Sequence, residues 1–339
     1  MINIYVITGF LGSGKTTFLN NLLKHHSSSK NLVIENEFGK VNIDARLITE
    51  KIDEVVELTN GCMCCSLDNE LIEVLAHIIK KENKPNNVFI ETTGIADTGN
   101  IIGMIKSPEI KKHFNFKASI CIVDSENIED RLLETFETAK QITVSDILIV
   151  NKLNSVATHY YQNIALILKQ INPFAKILKS FEGSVDFNDL EILINSNEFK
   201  IPINIGDTPL KTSHKINTVY FETNDSFILG ELTYALHVNF MLYPHQLFRL
   251  KGFVNTSPNN VRYLVQSTGK HMVFTPVANE GNNVKSELVF IGLQLKITLF
   301  NIILIDVYEY SFMSFYEAEE KVKLATVALN VNRPNRIDH

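Results

Sequence analysis

The sequence predicts an α/β fold: a mostly parallel sheet covered by helices on both faces, followed by a smaller α+β unit. Three observations predict it. Up to about residue 180, short apolar runs rich in β-branched residues alternate with segments of helical periodicity. A glycine-rich loop, Gly9 to Thr16, lies between the first such run and the first helical segment. After a turn-rich stretch from Phe181 to Ser213, read as containing a linker, strands with short turns take over.

Taken in order, strands are expected at Ile2–Thr8, Asn31–Ile34, Glu54–Leu58, Asn87–Glu91, Ala118–Asp124, Asp146–Val150 and Lys176–Leu178. Helices are expected from Thr17 onward, then at Leu67–Lys81, Ile128–Ala139 and His159–Ile171. Beyond the linker, strands are read at Lys215–Glu222, His245–Val254, Val261–Gln266, His271–Phe274 and Ser286–Gly292, with a helix around Phe227–Val238. The expected division is 1–200, 211–310 and a tail over 311–339, partly helical at Tyr316–Leu329 and frayed beyond.

Composition narrows the class. Hydrophobic residues make up 45% and charged residues 21%, as in soluble globular proteins. A net charge of −6 argues against a general nucleic-acid binder. Residues 2–7 are too few for a signal peptide, and Ile297–Ile305 is too short to span a bilayer. A cytoplasmic protein with no membrane partner is expected. Of four cysteines three are crowded together, which is not a disulfide framework but suits reduced thiols or metal ligands.

Gly9-Phe10-Leu11-Gly12-Ser13-Gly14-Lys15-Thr16 fits G-x-x-x-x-G-K-[ST] between a strand and a helix, the phosphate-binding loop of P-loop nucleoside triphosphatases. Backbone N–H groups of Gly9, Gly12, Ser13 and Gly14 at a helix N-terminus, with Thr17 following, make an anion site. Lys15 is expected to reach the β/γ-phosphates and the Thr16 hydroxyl to hold Mg²⁺. A strand then carries Glu91 to its carboxyl end, where it can hold Mg²⁺ through water, and Gly94 can bring its N–H to the γ-phosphate. Lys15, Glu91 and Gly94 are the expected catalytic group.

Asn151-Lys152-Leu153-Asn154 resembles the N-K-x-D guanine reader. Lys152 would lie along the base and Asn151 would brace the loops. The fourth position departs: Asp would accept two hydrogen bonds from guanine, whereas Asn154 has one acceptor oxygen and an NH₂.

Gly61-Cys62-Met63-Cys64-Cys65 lies between a strand and a helix N-terminus, where thiolates are favoured and bind Zn²⁺ or another soft ion. Three thiols are one short of a closed Cys₄ site, which suits binding and release. A redox-sensitive pair and a buried turn are the alternatives. Cys121 reads as an ordinary buried strand residue.

Together these motifs resemble the CobW-type metal-chaperone GTPases. The resemblance rests on Thr8–Thr17, Glu35-Asn36-Glu37-Phe38-Gly39, Asn42-Ile43-Asp44, Gly61–Leu67 and Glu91–Asp97, and on Arg249-Leu250-Lys251-Gly252 and Leu288–Gly292 in the second unit. It implies GTP hydrolysis coupled to delivery of zinc, or a related divalent ion such as Co²⁺, to a client metalloprotein. It places the metal at Cys62, Cys64 and Cys65, with Glu37 a candidate further ligand, and makes Glu35–Asp44 the first switch. Homo-oligomerisation is left open. Lys40, Thr98 and Asn154 depart from the family pattern, as does the chain beyond about Asp306. The rival readings are a thiol-redox-regulated nucleotide-binding protein and an accessory GTPase of cobalamin or nitrile hydratase maturation.

Overall fold

A computed structural model of the chain describes residues 1–36, 54–58, 67–94, 97–196, 216–243, 246–268, 271–278 and 284–295. The expectations for Glu37, Cys62, Cys64, Cys65 and the tail 311–339 lie outside the described residues.

The first sheet has seven strands, all parallel: β1 (Ile2–Thr8), β2 (Asn31–Asn36), β3 (Glu54–Leu58), β4 (Asn87–Glu91), β5 (Phe114–Asp124), β6 (Ile147–Asn151) and β7 (Lys176–Lys179). Their spatial order is β3-β2-β4-β1-β5-β6-β7. Helices α1 (Lys15–His25), α2 (Leu67–Lys80), α3 (Thr98–Ile105), α4 (Pro108–Lys111), α5 (Ile128–Glu134), α6 (Phe136–Val144) and α7 (Thr158–Ile171) lie in the connections between these strands, and α8 (Phe187–Asn195) follows β7. Central strands read as unbroken apolar runs because both faces are covered. Ile4, Val6 and Ile90 pack under α2 and α3, whereas Tyr5, Ile7 and Phe89 pack under α1 and α8.

The second sheet is built from β8 (Ile216–Thr223), β10 (Leu247–Ser257), β11 (Arg262–Thr268), β12 (His271–Val277) and β13 (Ser286–Leu293), in the order β12-β11-β10-β13-β8 with antiparallel neighbours. A two-residue strand, β9 (Phe227–Ile228), pairs with β10 and leads into α9 (Leu229–Leu242). The two sheets share apolar packing: Ile216, Phe248 and Ile291 join Cys121, Ile142, Leu148 and Leu168 in one cluster. No helix among the described residues is long and apolar enough to cross a membrane.

Three expectations are corrected. The helix read over Ile128–Ala139 is two helices, α5 and α6, broken at an extended Thr135. The Arg131 carbonyl accepts the last helical bond from Thr135 N–H at 2.9 Å and a second from the Thr135 hydroxyl at 3.1 Å, and that hydroxyl pairs with Thr138 at 2.7 Å in the first turn of α6. The stretch read as turn-rich from Phe181 contains α8, capped by Asp186, whose carboxylate accepts from the Asn188 and Asp189 N–H groups. Phe227 and Ile228, read as helical, form β9 instead. Helices α3 and α4 were not foreseen.

Candidate functional site

β1 delivers the chain to the glycine loop at the carboxyl edge of the sheet, between β4 and β5, which is where ligands of parallel sheets bind. Gly14 caps α1 at φ 97°, and a Cβ there would meet Asn151 Nδ2 at 2.5 Å, so only glycine suits the position. The loop closes on itself through Ser13 N–H donating to Phe10 O at 3.2 Å. Lys15 is buried and its Nζ donates to the same carbonyl at 3.3 Å. Ser13 is buried with its Oγ turned toward Gly9, while Thr17 is exposed on the first turn of α1. N–H groups around a left-handed cap at a helix N-terminus form a concave anion site.

Thr16 Oγ1 donates to Glu91 Oε1 at 3.1 Å. A hydroxyl and a carboxylate side by side are hard oxygen donors of the kind Mg²⁺ takes when most of its shell is phosphate and water. Across the neighbouring strands the register places Glu35 beside Glu91, and Glu57 beside Glu35. Glu35 is buried, and it is a carboxylate at this edge to which the sequence assigned no role of its own.

The edge is held by hydroxyls. Thr92 Oγ1 donates to Thr8 Oγ1 at 3.0 Å, and Thr8 in turn pairs with Thr98 Oγ1 at 2.9 Å. Proline suits the first turn of a helix. Thr98 in that place instead adds a bond that ties α3 to the end of β1. Gly94 follows, packed so closely that a Cβ would lie 2.7 Å from the Leu11 N, so its backbone runs directly against the phosphate-binding loop.

Asn151 lies at the end of β6. Its Nδ2 donates to Ser13 O at 3.0 Å, and its Oδ1 accepts from Ser180 Oγ at 3.0 Å and Gly183 N–H at 2.9 Å. One buried amide therefore ties the phosphate-binding loop to the loop after β7. Lys152 Nζ pairs with Asp124 Oδ2 at 2.9 Å and lies 3.8 Å from Glu126. Burial alone raises the Asp124 pKa, but hydrogen bonds from Asn127 and Lys152 overcome it and hold the carboxylate below its ordinary value. Sequence reading missed Asp124, Ser180 and Gly183; the available signal was that Asp124 ends the strand next to β6. Asn154 is exposed in a 3₁₀ turn, Leu153–Ser155. Cys121 is buried in β5, with its thiol pushed up to about 12, chiefly by burial. No cluster of metal-ligating side chains occurs among the described residues.

With this geometry in view, residues 3–179 match the CobW/HypB/UreG nucleotide-binding domain, and residues 216–301 match the cobalamin synthesis protein CobW C-terminal domain. The chain belongs to the CobW/HypB/UreG family. As a member it is a P-loop GTPase. The zinc chaperone YjiA of Escherichia coli (strain K12) is 31% identical over 314 residues, covering 87% of this chain and 95% of the relative. The zinc chaperone CobW of Sinorhizobium sp is 26% identical over 334 residues, covering 85% and 92%. The crystal structure of Zn(II)-bound YjiA GTPase from E. coli superposes with a TM-score of 0.67 over 90% of this chain and 98% of that one, at 21% identity over the superposition, and so shows the shared fold.

Proposed function

We propose that this chain is a GTP-hydrolysing metal chaperone that binds Zn²⁺, or a related divalent ion such as Co²⁺, and passes it to a client metalloprotein. The observation that carries this reading is the order β3-β2-β4-β1. In the chain β3 precedes the cysteine segment, β2 the Glu37 segment and β1 the phosphate-binding loop, while β4 ends at Glu91, and the adjacency of these four strands supports a metal site near the nucleotide site. The named relatives are zinc chaperones, which supports zinc as the cargo.

In this reading the loop N–H groups and Lys15 hold the phosphates. Bound Mg²⁺ supplies charge neutralisation at the β- and γ-oxygens. Thr16 and Glu91 are the residues that would hold it. Gly94 lies against the loop and offers its N–H to the γ-phosphate, while Asn151 keeps loop and base reader in register. Cys62, Cys64 and Cys65, with Glu37 as a candidate, take the cargo ion; Glu35 is added as a second candidate because the register places it beside Glu91. The division into 1–200, 211–310 and a tail is part of the same proposal.

In this reading nucleotide state alters metal affinity, and by linkage metal then alters nucleotide affinity by the same factor. Zn²⁺ affinity measured with GDP and with a non-hydrolysable GTP analogue tests this. Identical affinities in the two states overturn the linkage. Serine at all three motif cysteines is expected to abolish tight Zn²⁺ binding and to leave nucleotide binding intact.

A further inference from the structure

Gln141 on α6 is 2% exposed, and its Nε2 donates to the Gly94 carbonyl at 2.9 Å. A carbonyl only accepts, so the amide nitrogen has to be the atom that faces it. The other amide atom, Oε1, is buried with no hydrogen-bond partner among the described residues. A buried acceptor left unmade is costly. The side chain is therefore placed for the bond to Gly94 and not for its own satisfaction.

Gly94 needs such an anchor. It carries no side chain to restrict its backbone, yet it must stay where its backbone meets the phosphate-binding loop at Leu11. The helix that supplies the anchor is itself fixed. At its C-terminal end the Thr143 and Ser145 carbonyls each accept from Asn172 Nδ2, at 3.0 and 2.8 Å, and from Arg249 Nη1, at 3.0 and 2.8 Å. Beside Gln141, Lys140 Nζ meets Asp97 Oδ2 at 2.6 Å, just past the Gly94 turn.

We propose that Gln141 is a positioning residue for the γ-phosphate contact: by clamping the Gly94 carbonyl it fixes the backbone that presents the Gly94 N–H. Since α6 is pinned by Arg249 at its C-terminal end, within a turn or so of Gln141, the second domain holds this anchor in place. The proposal rests on the reading of Gly94 as the γ-phosphate contact.

The test uses the full chain, titrated with GDP and with a non-hydrolysable GTP analogue in the presence of Mg²⁺. Gln141→Leu removes the donor. Gln141→Glu keeps the size but cannot donate as a carboxylate. The Leu variant is expected to lose about ten-fold in affinity for the GTP analogue and far less for GDP. The Glu variant is expected to do the same at alkaline pH, where its buried carboxylate is ionised, and to recover as pH falls and the acid form donates O–H to Gly94. That recovery is not expected of a residue that only fills space, and the Glu variant carries the test if the Leu variant does not fold. If both variants keep the wild-type ratio of the two affinities, the proposal is overturned, whatever their melting temperatures. Gly94→Ala separates the two failures. If it leaves the ratio unchanged, the reading of Gly94 fails and takes the proposal with it; if it shifts the ratio while the Gln141 variants do not, only the proposal fails.

Discussion

Arg249 Nη2 donates to Asp146 Oδ1 at 2.7 Å, and this pair joins the second sheet to the first. The guanidinium is 4% exposed and also takes the carbonyls that end α6, where a cation complements the helix dipole. Burial alone would raise the Asp146 pKa; Lys106, Arg249 and Lys251 overcome it and hold the carboxylate well below its ordinary value. The stability from the ionised form is thus complete above the usual carboxylate range and is lost only as pH falls toward the lowered value.

Arg249→Met strips a donor from a half-buried carboxylate and from two carbonyls. The expected loss is about 3 kcal/mol in urea unfolding at neutral pH. A loss below about 1 kcal/mol, the range of an exposed ion pair, would contradict a structural role for the junction.

Lys251 has the opposite sign. Burial first, then Arg249, lowers its pKa to about 7, against the pull of Asp146. The unfolded chain then binds more protons than the folded one between about pH 7 and the ordinary lysine value, so this residue makes stability rise with pH across that window. Lys251→Met is expected to raise the melting temperature at and below pH 7, with the gain shrinking as pH rises. An equal shift at all pH values would show that the ammonium carries no burial cost.

Asn151→Ala removes three hydrogen bonds made by one buried amide. A loss of about 2–3 kcal/mol in stability is expected, at roughly 1 kcal/mol each. Nucleotide affinity should fall with it, read by titration of a fluorescent GDP, because Ser13 is one of the three partners. Unchanged affinity would mean that the phosphate-binding loop keeps its shape unaided.

Asn154 stands exposed in the reader turn, next to a Lys152 already held by Asp124. Its amide can accept from the ring N–H of xanthine and donate to the oxygen that replaces the 2-amino group. Xanthosine triphosphate should therefore compete well against GTP. Asn154→Asp should improve GTP binding by about ten- to a hundred-fold, the worth of the charge-assisted bonds it restores. Equal displacement of a fluorescent nucleotide by ATP and GTP would show that this turn does not read the base.

Sequence reading was strongest where one local pattern suffices. β1, β3 and β4 fall on their expected residues, as at Asn87–Glu91, where an apolar centre, Val88 to Ile90, is buried on both faces between polar ends. It was weakest where a side chain competes with its own backbone. Thr135 turns extended and splits a helix while its hydroxyl pairs with Thr138, and Asp186 starts one inside a turn-rich stretch. Periodicity records neither event, since each is a local side-chain arrangement and not a matter of repeated burial.

The phosphate-binding loop motif and the positions of Lys15, Thr16, Glu91 and Asn151 were legible in the sequence itself, because each lies in a contiguous motif with a local chemical reason. Tertiary structure alone decided which distant residues serve them. Gln141 lies 47 residues from the Gly94 it anchors, Ser180 is 29 from Asn151, and Arg249 is 103 from Asp146. Such partners are chosen by strand order and helix docking, and the energy that selects them, buried polar groups finding hydrogen-bond partners, exists only once the chain has closed around them.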